Sequence, residues 1–351
     1  MRGETVKSDT ADGLKYQILY MVYQRNASAP FGSTSIGSYD HIQYVMNLDG
    51  THKRKLSTQE KTYTACDWSP DGRRVAFSTG GEICVMNADG SGTRILTDNT
   101  TPDTMPVWSP DGRHIAYIAG DNINDVRGPG GLVGVYRTNE SKSQIRVMRD
   151  DGSENRPLAQ PTVAELFTLA FSPRGDWIIY NTHLRTASVQ NRILSVRIID
   201  GTRITLSTSL FFAVSKCGKI AFCRSNLGER GTYIVEADGS GMKRISETTI
   251  SRGQLRFSPD GSKLAYLVNT DQSKYCVLAI VDMESTNVRL VTPCDAECGD
   301  FDWITDNKFV VNLSSRDTTS YRGIYTVGDD GHDLTQISDE GYGASIVRVP
   351  T

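Results

Sequence analysis

No run of about eighteen apolar residues occurs in this 351-residue chain, so no helix can be drawn across a bilayer. The opening Met1-Arg2-Gly3-Glu4-Thr5 lacks the apolar centre of a secretory signal. That leaves a cytoplasmic protein if the chain is full length, or a periplasmic or secreted one if a leader has been removed. Charge of one sign is also scarce: 38 Lys and Arg stand against 41 Asp and Glu, for a net charge of −3. This excludes a global electrostatic pull toward nucleic acid or an anionic membrane surface. No long helical periodicity is present. Seven cysteines are an odd number, so at least one thiol has no partner within the chain. Cys66, Cys84, Cys223 and Cys276 fall in strand-like runs, where a thiol acts as a small hydrophobe. Cys294 and Cys298 share one loop as C-x-x-x-C. They read as two loop thiols ahead of a local disulfide or half a zinc site, because no second ligand pair lies nearby.

What is present is a recurring phrase. WSPDG stands at Trp68–Gly72 and again at Trp108–Gly112, and FSPDG at Phe257–Gly261. Looser copies are FSPRG at Phe171–Gly175, VSKCG at Val214–Gly218 and WITDN at Trp303–Asn307. Ser, Pro, Asp and Gly at successive positions match the preferences of a type I turn followed by a left-handed glycine. An alternating run follows each copy, as in Arg74-Val75-Ala76-Phe77-Ser78 and Lys263-Leu264-Ala265-Tyr266-Leu267. A second phrase ends in Asp-Gly, as in Val85–Gly90 and Val235–Gly239, and a short fourth run closes the unit. The unit is therefore four antiparallel strands, a to d, which is a propeller blade. The Asp-Gly turns invite a calcium reading, but each supplies one or two carboxylates and calcium wants six to eight oxygens.

The ends set the blade count. Before the first WSPDG the chain offers runs resembling strands b, c and d, with no strand a, and after the last strand d one alternating segment, Ala344–Val349, is left over. A single all-β domain over 16–351, with 1–15 as an extension, is expected: seven blades, blade 1 closed by the C-terminal strand. Six blades is the alternative if Val214–Gly218 is not a true turn.

The S-P-D-G and N-x-D-G-x-x-x-x-x-L-T phrases resemble the WD40-like repeats of TolB and of the N-terminal propellers of dipeptidyl peptidase and prolyl oligopeptidase relatives. The resemblance runs from Tyr16 to Val349 and implies a fold more than a function. TolB carries an α/β domain ahead of a six-bladed ring, where this chain has only residues 1–15. The peptidases carry a G-x-S-x-G nucleophile elbow, which is missing here. Lyases related to this repeat family bind metal through several histidines. Of five histidines here only His41 and His183 fall in connections between strands b and c, so neither metal nor cofactor is expected.

Long insertions collect on the face that carries the b–c and d–a connections: Gln24–Asp40, Gly120–Lys142, Thr182–Gln190 and Ser314–Tyr321. Binding sits preferentially on such loops. The contact candidates on this face are Arg127, Tyr136, Arg137, His183, Arg185, Asp103 and Tyr63. The expected activity is non-enzymatic recognition of a protein, a peptide or a small polar ligand by a monomer. The alternative is an enzyme of lyase, cyclase or hydrolase type working in the axial pocket on the same face.

One position, just before the aromatic of each strand a, reads around the ring as Arg256, Asp302, Arg348, Asp67 and then Val107, Ala170, Ala213. Alternating charge over four neighbouring blades predicts an ion-pair ladder in the axial channel, or arginines presented there to an anion.

Overall fold

The computed structural model describes residues 14–25, 39–55, 66–99, 102–120, 143–158, 165–185, 189–209, 211–224, 229–247, 252–269, 275–315, 321–339 and 342–350. Among them the secondary structure is β-strand throughout, paired antiparallel in four-stranded sheets. Six sheets take their four strands consecutively along the chain: residues 66–95, 103–157, 165–207, 212–246, 252–290 and 297–338, here blades 2 to 7. A further sheet, blade 1, joins the two ends of the chain: Tyr342–Pro350 lies beside Leu14–Arg25, followed by Tyr39–Asn47 and Arg54–Lys55. In the splice Ile346 faces Ile18, Val347 faces Gln17 and Arg348 faces Tyr16. The chain is thus an all-β propeller, and no helix among the described residues is long and apolar enough to cross a membrane.

Each S-P-D-G turn is closed by its own side chains. Ser69 Oγ donates to Asp71 Oδ1 at 2.6 Å and accepts from the Arg74 amide at 2.9 Å, while the Gly72 amide donates to Ser69 O at 2.8 Å. Ser109 with Asp111 and Ser258 with Asp260 repeat the pattern. Burial alone would raise the Asp260 carboxyl, but hydrogen bonds from Ser258 and Ser262 prevail and hold it at about 2. The degenerate copies find substitutes. In FSPRG, Asp176 accepts from Ser172 Oγ at 2.6 Å, and in VSKCG the Cys217 sulfur lies 3.1 Å from Ser215 Oγ. Val214–Gly218 is therefore a true turn, with Phe212–Val214 and Ile220–Arg224 as its strands. The Asp-Gly turns likewise use up their carboxylates: Asp49 Oδ1 accepts from the Thr51 amide and hydroxyl, and Asp89 Oδ1 from those of Ser91.

Sheets this short bury their apolar faces only against each other. Ala76, Ile83 and Val85 of blade 2 meet Trp108, Ile115 and Tyr117 of blade 3. Ile18 and Met46 of blade 1 meet Ile304, Val310 and Ile324 of blade 7. The Asp-Gly turn of one blade also tucks under the last strand of the one before it. A Cβ on Gly50 would stand 2.5 Å from Ile337 O, and one on Gly201 2.8 Å from Leu158 O. Both glycines have positive φ, so the same residue meets the turn conformation and the close approach.

Polar staples bridge the blades at matching positions. Arg74, first residue of its strand b, pairs with Asp150 in the next blade at 2.8 Å and lies 4.7 Å over the Trp108 ring. Lys263, at the equivalent position, donates to Asp329 Oδ2, Asn307 Oδ1 and Asp306 O at 2.8–2.9 Å, and Arg289 donates to the same Asp329 oxygen at 2.5 Å. The Lys263 and Asp329 side chains are only 18% and 12% exposed, so losing either strands a poorly solvated charge.

Two outcomes follow from this architecture. Deleting residues 344–351 opens a sheet edge and removes the splice, and calorimetry should show the melting temperature falling by roughly 5–10 °C, where trimming a free tail changes nothing. At the blade 6–7 staple, Asp329→Ala should cost about 3 kcal/mol in urea unfolding. Combined with Lys263→Met, the double variant should be more stable than the sum of the single losses by about 1–2 kcal/mol, and simple additivity would show the staple to be idle.

Candidate functional site

The two faces of the ring differ in kind. On one face the a–b turns of blades 2 to 6 occupy residues 69–73, 109–113, 172–176, 215–219 and 258–262, all short and all closed by their own serine, with the hairpin of blade 5 closing one residue sooner than the rest. On the other, the b–c connection is Gly80-Gly81 in blade 2 and runs over 121–142 in blade 3. Of the contact candidates on that face, Tyr63, Arg127, Tyr136 and Arg137 lie outside the described residues. Arg185 ends the strand Trp177–Arg185, and its side chain is outside the description too. His183 is half-buried in the same strand, its Nδ1 2.6 Å from Oδ1 of Asn191, the residue opposite it.

Asp103 is the candidate with the most developed surroundings. It opens strand a of blade 3 at the junction with blade 2 and is fully buried. Its amide donates to Gly81 O at 2.7 Å, and its Oδ2 accepts from Asn99 Nδ2 at 2.7 Å. Its Oδ1 is buried with no hydrogen-bond partner. Glu82 stands at the neighbouring strand end of blade 2. The Thr97 hydroxyl sits by both carboxyls, accepting from the Ile83 amide at 2.9 Å and giving its single proton to Glu82 Oε2 at 2.6 Å. Burial pushes the Asp103 carboxyl above its ordinary range, and the nearby Glu82 charge adds to the effect.

Arg146 of blade 3, whose charge acts on Asp103, has its N–H groups committed elsewhere. Its Nε donates to Asn155 Oδ1 at 3.0 Å, Nη2 to Asn155 O at 3.2 Å and Nη1 to Gln144 Oε1 at 3.5 Å. Tyr117, raised by burial above all, completes this set through Asn155. Sequence reading picked out Asp103 but missed Glu82, Thr97 and Asn99. The signal for Thr97 was the L-T phrase that closes the repeat. Thr292 plays the same capping part in blade 6, accepting from the Leu278 amide at 2.9 Å.

The first strands of the blades touch one another along the inside of the ring, so the four charged positions do belong to its inner wall. The Arg256 side chain donates from Nη1 to the adjacent Leu255 O at 3.3 Å, and among the described residues no ion pair joins it to Asp302. Asp302 Oδ1 accepts from the Trp303 amide at 2.9 Å. Asp67 reaches across a blade boundary instead: its Oδ2 accepts from the Trp108 amide at 2.8 Å. A backbone N–H at the blade junction thus supplies one partner of the Asp67 carboxyl. The Arg348 side chain is outside the description.

None of the seven cysteines is in a disulfide, and Cys294 is exposed and Cys298 buried. Burial pushes the Cys298 thiol far up, which makes it inert as a nucleophile. Among the described residues no three His, Cys, Asp or Glu side chains gather as metal ligands.

No family model matches the chain, and no curated protein does. Solved structures match by fold. The β-propeller domain of the Trilobed protease from Pyrococcus furiosus has a TM-score of 0.60 at 15% identity, over 94% of this chain and 97% of that one. An oligogalacturonate lyase in complex with manganese scores 0.59 at 14% identity, over 92% and 85%. Puromycin hydrolase scores 0.67 at 13% identity over 93% of this chain, which spans 52% of the hydrolase's length. TolB from Acinetobacter baumannii also matches, at 0.49 and 17% identity, with 62% of its length spanned. The likeness to the protease, lyase and hydrolase structures establishes the propeller fold.

The Asp67 environment yields a pH dependence of stability. Desolvation raises its carboxyl to about 6, against the lowering pull of the Trp108 and Trp68 amides. The folded protein therefore holds this proton more tightly than the unfolded chain does. The associated stability is fully present below about pH 4 and is lost as pH rises through about 6, at most about 3 kcal/mol. Asp67→Asn keeps an acceptor for the Trp108 amide and removes the titration. Urea unfolding from pH 4 to 7.5 should show wild type losing ground to the variant, and parallel profiles would remove Asp67 as the cause.

Proposed function

We propose that this chain is a propeller binding module that recognises a polar ligand or a peptide segment of a partner on the face bearing the b–c and d–a connections. The observation that carries this reading is the contrast between the faces. One is built from short turns of closely similar length whose serine and carboxyl groups bond within the turn. The other connects strands by anything from Gly80-Gly81 to 121–142. Variation on a rigid scaffold is the arrangement that binding sites use. On this reading the chain acts as a monomer without cofactor, and Tyr63, Arg127, Tyr136, Arg137, His183 and Arg185 supply contacts around Asp103.

The enzyme alternative, using the same face, draws on Asp103 itself. A buried carboxyl with a raised pKa, close to Tyr117, is the kind of group that serves as a general acid. The two readings part on whether the bound molecule is changed.

Exchanging 121–142 for a Gly-Gly connection like that of blade 2 tests the proposal. Native mass spectrometry of both proteins purified from their own cells should show a co-purified mass on the parent that is missing from the exchanged form, with the melting temperature kept. If the exchanged protein carries the same molecule, this face is not the binding face. A carried molecule that changes mass on incubation with the parent speaks for the enzyme.

A further inference from the structure

We infer that the junction of blades 2 and 3 is a cation subsite, in which Asp103 and Glu82 receive an ammonium or guanidinium group of the ligand. The inference rests on the binding reading above and narrows the class of ligand. Its first support is a shortage of donors. Two carboxyls flank Thr97, whose one hydroxyl proton goes to Glu82 Oε2, and Asn99 satisfies only Oδ2 of Asp103. Oδ1 of Asp103, a residue with no exposed surface, is left without a hydrogen bond. An orphaned buried carboxylate oxygen is costly, and native structures keep one where something else arrives to meet it.

The second support is a shortage of positive charge. Among the described residues no ion pair reaches either carboxyl, since the N–H groups of Arg146 point to Asn155 and Gln144. A cation bearing several N–H donors supplies both missing elements together: charge for the carboxyls and a hydrogen bond for Oδ1. The backbone holds the receptor in place, with the Asp103 amide bonded to Gly81 O and the Gly120 amide to Pro102 O. Entry is on the side of Asn99, which is exposed, and Glu82, which is half-buried.

The test titrates the full-length protein with n-butylammonium chloride and with arginine amide at constant ionic strength, reading heat by calorimetry. Tetramethylammonium, a cation without N–H donors, and calcium chloride serve as comparisons. Saturable binding of the two N–H cations is expected, weakened at least about tenfold by Asp103→Asn and also by Glu82→Gln, the size of a lost charge-assisted hydrogen bond. Glu82→Gln covers the case in which Asp103→Asn does not fold. Equal binding by parent and folded variants, no heat with either N–H cation, or binding of tetramethylammonium or calcium in their place would overturn the subsite. Because these titrations need no native ligand, they stand apart from the loop exchange. A parent that binds the cations while the exchanged form keeps its co-purified molecule retains the subsite and loses the face-wide reading.

Discussion

Everything in this molecule depends on the seam between neighbouring blades. A sheet of four short strands has no interior of its own, and each blade becomes a core only when the next one covers it. The seam is consequently the most repetitive feature of the structure. It carries interdigitated apolar side chains, a glycine turn beneath the preceding outer strand and, at two places, a charge set across the boundary. The requirement is cyclic, so one seam must be made by the chain's two ends. Tyr342–Pro350 beside Leu14–Arg25 does this with ordinary strand pairing, and Ile18 and Met46 then fill the same role against blade 7 as any blade fills against its predecessor.

Much of this was legible in the residues because turns are local. Ser-Pro-Asp-Gly specifies its conformation within five residues, so its copies could be aligned by eye, and the missing first strand and spare last one followed from the alignment. Two of the worn copies obeyed a rule that the sequence alone did not reveal: the serine is kept and a nearby group partners it, Asp176 in one turn and the Cys217 sulfur in another. The candidate site was less legible because it is made between repeats. Glu82, Thr97, Asn99 and Asp103 come from the end of one blade and the start of the next, and no periodic pattern marks which of many polar residues at strand ends will be buried together.

The channel positions show the same limit from the other side. Arg256, Asp302, Arg348 and Asp67 do stand at equivalent places on the inner wall, so the periodic reading of position was sound. The step from alternating sign to ion pairs leaves out the competing backbone donors. At Asp67 a main-chain N–H of the adjoining blade donates to the carboxylate, and at Asp302 the next residue's N–H donates to Oδ1. Sequence lists charges but not the backbone amides that can satisfy them, and in a β-structure with many strand ends those amides are abundant.

Asp67 and Asp103 make an instructive pair. Both are carboxyls at the seam of blades 2 and 3, both are raised by desolvation, and both lack an ion-paired cation among the described residues. Asp67 spends its Oδ2 on the amide of Trp108 and in doing so binds one blade to the next, which accounts for it as part of the framework. Asp103 is also tied down, through its own amide and through Asn99, yet one of its oxygens remains unused although it is buried. Framework needs explain the first residue fully and the second only in part. The residual cost at Asp103 falls at the mouth of the variable face and beside a second carboxyl, which is where a binding protein gains from leaving a polar group unsatisfied until its ligand arrives.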